Sequence, residues 1–344
     1  MTPTALWVSP VSNLAGVARH ILDAARAGIP GWELHVAAPQ GPILDELAKL
    51  GVPSTPLPLE HGTTRAASAL RGIIGALRPR VVHSHLAKAD FLVAAAAVGM
   101  PAKLISTEHG IAADPRLYNT NPVKAWLKQQ AHRRRCRRFD QLIAVSHSTA
   151  EQIQRHWHPS TPVTVVLNGV DRPEYMPARQ PGKRYLSLSR ISHEKNISAI
   201  VRAFALLDDE ATLTIAGDGP DHPAVARLVE QLQLGARVSF PGFLDAQRAL
   251  AEHDVLVQLS KWENASYALL DAAVNGLGVV ATPVGGNPEI LPPRCLVLAE
   301  DTQAVAKRMR EQAQLAARPV LRADWPTVAE MTDRIARVYS EVCA

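Results

Sequence analysis

Short apolar runs of five to seven residues recur along the chain, separated by stretches with helical spacing. In the first half the runs are TALWVS, ELHVAA, RVVHSH, KLISTE, QLIAVS and VTVVLN, and two of the stretches between them, GVARHILDAARAG and KADFLVAAAAVG, carry apolar helical faces. The second half repeats the pattern with RYLSLS, ATLTIAG, RVSFPG, DVLVQLS, GVVATPV and CLVLAE. Runs this short, alternating with helices, predict βαβ units and parallel sheets. The expected class is α/β with two Rossmann-like domains. Between the halves, NGVDRPEYMPARQPGKR is rich in Pro, Gly and Arg and has no apolar period, as a linker would. The expected layout is a first domain over 1–170, a linker over 171–183, a second domain over 184–322 and a closing helix over 323–344.

Composition adds limits. With 344 residues, 47% hydrophobic and 20% charged, the chain can bury two cores. Cys136, Cys295 and Cys343 are far apart and lack metal-ligand spacing, and the start MTPTALWVSP has no basic region followed by a long apolar stretch. A reducing cytoplasm fits both. The apolar stretch FLVAAAAVGMPAKLI is broken by Gly99, Pro101 and Lys103, short of a membrane span.

Charge is uneven. Residues 1–170 carry a net +8 and residues 171–344 a net −3, within the overall +5. Most of the excess sits in NPVKAWLKQQAHRRRCRRFD, a predicted helix with Asn121 as N-cap and Pro122 at its first position. Val123, Trp126, Leu127 and Ala131 form a stripe on it, and Arg133, Arg134, Arg135, Arg137 and Arg138 crowd its end. Two readings stand: a solvated basic face favoured by a helix C-terminus, or contact of the 121–138 helix with an anionic membrane surface or phosphate-bearing acceptors. Nucleic acid is not expected, since aromatics are 5% and no binding module is present.

The candidate chemistry of the second half lies at strand ends. DVLVQLS reads as a strand and SYALLDAAVNG as a helix with Ser266 as N-cap and Gly276 past its end. Glu263 then falls in the loop and Asp271 in the second helical turn, both able to face the mouth where ligands bind in open α/β sheets. Without more context the pair is equally an acid favouring the helix dipole and a solvated loop acid. Arg190 and Lys195 in LSRISHEKN offer a guanidinium fork and a point charge to a diphosphate. Gly217 and Gly219 in AGDGP, Gly242 in PGF, and the later PVGGNPE can expose backbone N–H groups.

In this order, the stretches resemble family 4 glycosyltransferases of the two-Rossmann-domain type called GT-B, over nearly the whole chain. The strongest mark is the family's E-x7-E motif, here ENASYALLDAAVNG. The resemblance implies two domains facing a cleft, with Glu263 on the donor sugar, Asp271 on the ribose, and Arg190 and Lys195 on the nucleotide diphosphate. It also implies a closing helix that crosses back to the first domain, metal-independent retaining transfer of a hexosyl group, and no cofactor beyond a nucleoside diphosphate sugar. A glycan or lipid-linked acceptor is the expected partner, and a cytoplasmic enzyme, peripheral on the inner membrane face, is the expected setting. Three departures stand out: Asp271 replaces the usual Glu, Ala15 precedes Gly16 where a Gly pair is common, and Asn264, Ala265 and Ser266 replace a Gly-rich loop. Gly16, Asn264, Ala265 and Ser266 are still counted with the donor-binding residues.

In the first half, HSH and TEH put His85 and His109 at strand ends. The family pattern matches His109 to a histidine beside the donor sugar; as a lone residue it is equally a structural hydrogen-bonder. His85 and Arg65 are assigned to the acceptor side. The His-x-His alternation is read as offering one ligand per sheet face, with no cysteine beside it and no Asp-x-Asp elsewhere, so no metal is expected. A sugar-nucleotide epimerase of the same architecture, or a catalytically degenerate nucleotide- or lipid-binding partner protein, is the competing reading.

Overall fold

The computed structural model describes residues 2–111, 122–174, 179–314 and 318–344. The chain divides into two compact units, Met1–Gly169 with Pro326–Ala344, and Val170–Trp325.

In the first unit, β1 (Thr4–Val8), β2 (Glu33–Ala38), β3 (Ser54–Pro56), β4 (Val81–His85), β5 (Lys103–Glu108), β6 (Gln141–Ala144) and β7 (Val163–Val165) form a parallel sheet ordered β3-β2-β1-β4-β5-β6-β7. Around it lie α1 (Gly16–Ala27), α2 (Pro42–Lys49), α3 (Thr63–Leu77), α4 (Leu86–Ala96), α5 (Pro122–Cys136) and α6 (His147–Trp157). Strand side chains alternate between faces, so both faces need a helical cover. Ala5 and Trp7 of β1 pack into the core shared with α1 and α2, while Leu6 and Val8 pack into the one shared with α3, α4 and α6.

The second unit repeats the plan with β8 (Arg184–Leu188), α7 (Ile197–Phe204), β9 (Thr212–Ala216), α8 (His222–Gln231), β10 (Val238–Gly242), α9 (Ala246–Glu252), β11 (Val255–Gln258), α10 (Tyr267–Val274), β12 (Gly278–Ala281), α11 (Asn287–Ile290) and α12 (Thr302–Ala313). Its sheet is parallel in the order β10-β9-β8-β11-β12. In each sheet the order reverses once, between β1 and β4 and between β8 and β11; such switch points leave a crevice beyond the strands' carboxyl ends.

The closing helix α13 (Val328–Cys343) starts on a capping box of Thr327 and Glu330 and belongs to the first unit. Tyr339 on it is fully buried and accepts a hydrogen bond from Trp7 Nε1 at 2.7 Å. The segment read as a linker is bound to the second unit. Arg172 donates to the Arg322 carbonyl at 2.6 Å, and Arg179 donates to the carbonyls of Asn275, His253 and Leu250 at 2.7–3.1 Å. Two strand expectations differ. CLVLAE forms only an isolated bridge, Leu296 to Ala281, because Pro292 and Pro293 lead into a 3-10 turn over Pro293–Cys295. The edge strand β3 is three residues ending in Pro, too short to register as an apolar run.

Candidate active site

Several predicted donor-side residues converge at the β8/β11 switch point. Ser266 caps α10, accepting from Leu269 N, and its hydroxyl donates to Gln258 Oε1 at 2.8 Å. Gln258 Nε2 in turn donates to Glu263 Oε2 at 3.0 Å, and Ser260 Oγ donates to the same oxygen at 3.3 Å. Lys195, from the turn after β8, completes the set with Nζ at 2.6 Å from that oxygen. Both partners are mostly buried, with side-chain exposures of 22% for Lys195 and 14% for Glu263. Lys195 and Glu263, expected to touch different parts of a ligand, are therefore in direct contact in the free protein.

Arg190 sits in the same β8 turn with its side chain exposed, and no described residue pairs with it. Its charge is still felt. Burial raises the Glu194 carboxyl, but a hydrogen bond from Ser192 Oγ at 2.6 Å and the charges of Arg190 and Lys195 leave it below its ordinary value. Asp271 is buried on α10, in the second turn as expected. Asn264 is buried, with its carbonyl accepting from Gly286 N at 2.8 Å, and Ala265 is half-buried beside it.

The glycines have different reasons. Gly285 has φ +54°, and a Cβ there would lie 1.6 Å from the Glu263 carbonyl oxygen, so only glycine lets the 284–286 turn close on the Glu263 loop. Gly217, at φ +132°, and Gly219 would collide with the Ser189 and Ile191 carbonyls. Close backbone approach by itself requires glycine at both positions. Gly16 and Gly242 meet nothing within 4 Å, so packing does not require glycine there, although Gly242 has φ +75°.

The first unit gathers histidines at the carboxyl ends of β4 and β5. His83 and His85 are two apart on β4 and share a face, which corrects the reading of one ligand per face: a strand repeats every two residues. His85 Nδ1 lies 3.0 Å from His109 Nε2, and His20, from α1, lies with its ring centre 4.9 Å from that of His109. His20 Nδ1 is 3.2 Å from Asn168 Oδ1. His83 bridges Tyr339 OH at 2.6 Å and Thr107 Oγ1 at 2.7 Å. Burial lowers the pKa of His20 to about 4 against the Asn168 hydrogen bond, and drives His83, His85 and His109 well below 6.5. All four rings are neutral near pH 7. His20 had no spacing in the sequence to join it to the others, and Leu86, directly after His85, holds φ +71°. Arg65 is exposed at the start of α3, with no described bond to the histidines.

Behind the opposite face lies a buried ion group. Ser84 and Ser106, in register on β4 and β5, donate to Asp90 at 2.5 and 2.8 Å. Arg135 reaches both Asp90 and Glu108, the latter at 2.5 Å, with its guanidinium 4.7 Å from the Trp157 ring centre. Arg135 is thus an internal charge and leaves the surface cluster that the sequence suggested. Arg134, Arg137 and Arg138 remain exposed, as do Val123, Trp126 and Leu127 at 63%, 57% and 54%. The N-cap expected at Asn121 lies outside the described residues.

Two sequence families cover this architecture. Residues 14–173 match "Glycosyltransferase Family 4" and residues 182–314 match "Glycosyl transferases group 1". The chain belongs to glycosyltransferase family 4. Among its relatives is N-acetyl-alpha-D-glucosaminyl L-malate synthase of Bacillus anthracis, 28% identical over 61% of this chain and 58% of that protein. Another is a phosphatidylinositol N-acetylglucosaminyltransferase subunit of Arabidopsis thaliana, 28% identical over 84% of this chain and 64% of that protein. This family 4 chain thus spans 58% and 64% of the lengths of those two relatives. In fold it resembles Anabaena HepE, solved in complex with UDP and glucose, at a TM-score of 0.83 and 17% identity over 98% of this chain and 100% of that one. Two parallel Rossmann-like sheets in a family 4 glycosyltransferase constitute the GT-B class.

Proposed function

We propose that the chain transfers a hexosyl group from a nucleoside diphosphate sugar to a hydroxyl acceptor, with retention at the anomeric carbon and without a metal cofactor. The observation that carries the reading is the Lys195–Glu263 contact at the β8/β11 switch point, beside an exposed Arg190. A diphosphate meets two cations there, and a sugar meets a carboxylate already oriented by Gln258 and Ser260. As the glycosidic C–O bond breaks, charge grows on the leaving diphosphate, and Arg190 and Lys195 stabilise it most in the transition state. The anomeric carbon acquires oxocarbenium character. The acceptor oxygen attacks on the same face, and its proton passes to the departing phosphate oxygen. In this scheme Glu263 holds sugar hydroxyls and Asp271 the ribose.

Glycan or glycolipid biosynthesis in the cytoplasm is the setting that suits this chemistry and these relatives. The exposed Val123, Trp126 and Leu127 beside exposed arginines favour a lipid-linked acceptor met at an anionic membrane face. Uridine donors are the first to test, given UDP in the Anabaena neighbour. Mass spectrometry of the enzyme with a panel of sugar nucleotides and soluble or lipid-linked acceptors should find a glycosylated product. If no donor is consumed with any acceptor, the reading fails. Trp126→Glu should weaken binding to phosphatidylserine vesicles, and wild-type binding should fall with salt.

A further inference from the structure

We propose that His20, His85 and His109 form a three-histidine site for a divalent transition-metal ion of the zinc class. One ring nitrogen from each of the three lies within 4.8 Å of the others, although they come from α1, β4 and the turn after β5. Imidazole nitrogens with no carboxylate among them suit zinc, copper or nickel and do not suit magnesium or calcium.

The geometry needs little change. His85 Nδ1 and His109 Nε2 are 3.0 Å apart; two nitrogens bound at about 2.0–2.1 Å to a tetrahedral zinc are about 3.3 Å apart. An opening of a few tenths of an ångström admits the ion. Asn168 Oδ1 beside His20 Nδ1 is the orienting contact that metal-bound histidines make through their other nitrogen, leaving Nε2 as the lone-pair donor. Trp7 packs 4.5 Å from the His85 ring centre and fixes the ring from behind. His20 and His85 are buried and His109 half-buried, so three protein ligands leave the fourth position on the side of His109.

The metal site is separate from the transfer proposed above. Direct binding tests the site independently of that reading. The full chain, stripped of metal, is titrated with Co2+ while its visible d–d absorption is followed, and with Zn2+ by calorimetry. The expected result is an intense tetrahedral Co2+ spectrum displaced by Zn2+, with Zn2+ affinity at least tenfold lower in His20→Gln, His85→Gln and His109→Gln. Equal affinity in wild type and His109→Gln, or no tetrahedral spectrum in wild type, overturns the site. His109 is half-buried, so His109→Gln carries the test if a variant of the two buried histidines does not fold.

Discussion

The sharpest consequence of the geometry concerns Glu263→Gln. In the free protein Lys195 gives its charge to Glu263 at 2.6 Å, and a diphosphate must compete for it. The amide still accepts a hydrogen bond from the Lys195 ammonium but gives up the ion-pair attraction, worth about 1 kcal/mol for a partly buried pair. Both side chains are less than a quarter exposed, which limits solvent screening. Two effects follow. Stability of the second unit falls by about 1 kcal/mol, or roughly 2–4 °C in Tm for a unit of this size. Affinity for free nucleoside diphosphate rises, because Lys195 no longer has a competing anion; about 1 kcal/mol corresponds to roughly fivefold. Transfer should nevertheless drop, because the proposed sugar contact loses its carboxylate. Calorimetry with UDP and other nucleoside diphosphates, beside turnover, measures all three. A Lys195→Met background provides the control: there, Glu263→Gln should no longer change nucleotide affinity. Weaker nucleotide binding by Glu263→Gln in the wild-type background would refute the competition.

Other consequences are more local. Gly285→Ala places a Cβ 1.6 Å from the Glu263 carbonyl at φ +54°, so it should cost at least about 2 kcal/mol in urea unfolding and displace the Glu263 loop, with turnover falling more than nucleotide affinity. Arg135→Met leaves Asp90 and Glu108 buried without their cation and should cost about 3–5 kcal/mol by denaturant titration, unlike removal of the exposed Arg138. His132, stacked on Trp157, has its pKa lowered by burial and by Arg135 to about 3 from 6.5. Its folded pKa lies below its unfolded one, so the stability it contributes is present above pH 6.5 and is lost as the pH falls through that window. His132→Phe keeps the stack without the titration, and its loss of stability between pH 7 and pH 5 should be about 1–2 kcal/mol smaller than in wild type.

The parts legible in the sequence are those set by local rules. β-branched runs, Ser266 before an apolar helix, and Glu263 in the loop ahead of Asp271 follow from strand period, capping and helix register, and each has its expected place. What stayed hidden depends on which way a side chain turns in three dimensions. Arg135 looks like its neighbours in RRRCRR, but its position on α5 turns it onto two buried acids. His20 lies on α1, far in sequence from His85 and His109, and only the sheet order brings β4 beside β1 and so carries α1 over them. The contact between Lys195 and Glu263 was hidden for the same reason. β8 and β11 are neighbours only because the strand order reverses between them.

The central claim is that the second unit presents a sugar nucleotide for transfer with retention. Proton NMR of the reaction as it proceeds, starting from an α-linked nucleoside diphosphate sugar, reads this directly. The account predicts loss of the donor's anomeric signal, growth of an α-linked product, and little turnover in Arg190→Ala with Lys195→Ala. A β-linked product, or a double variant as active as wild type, would contradict it.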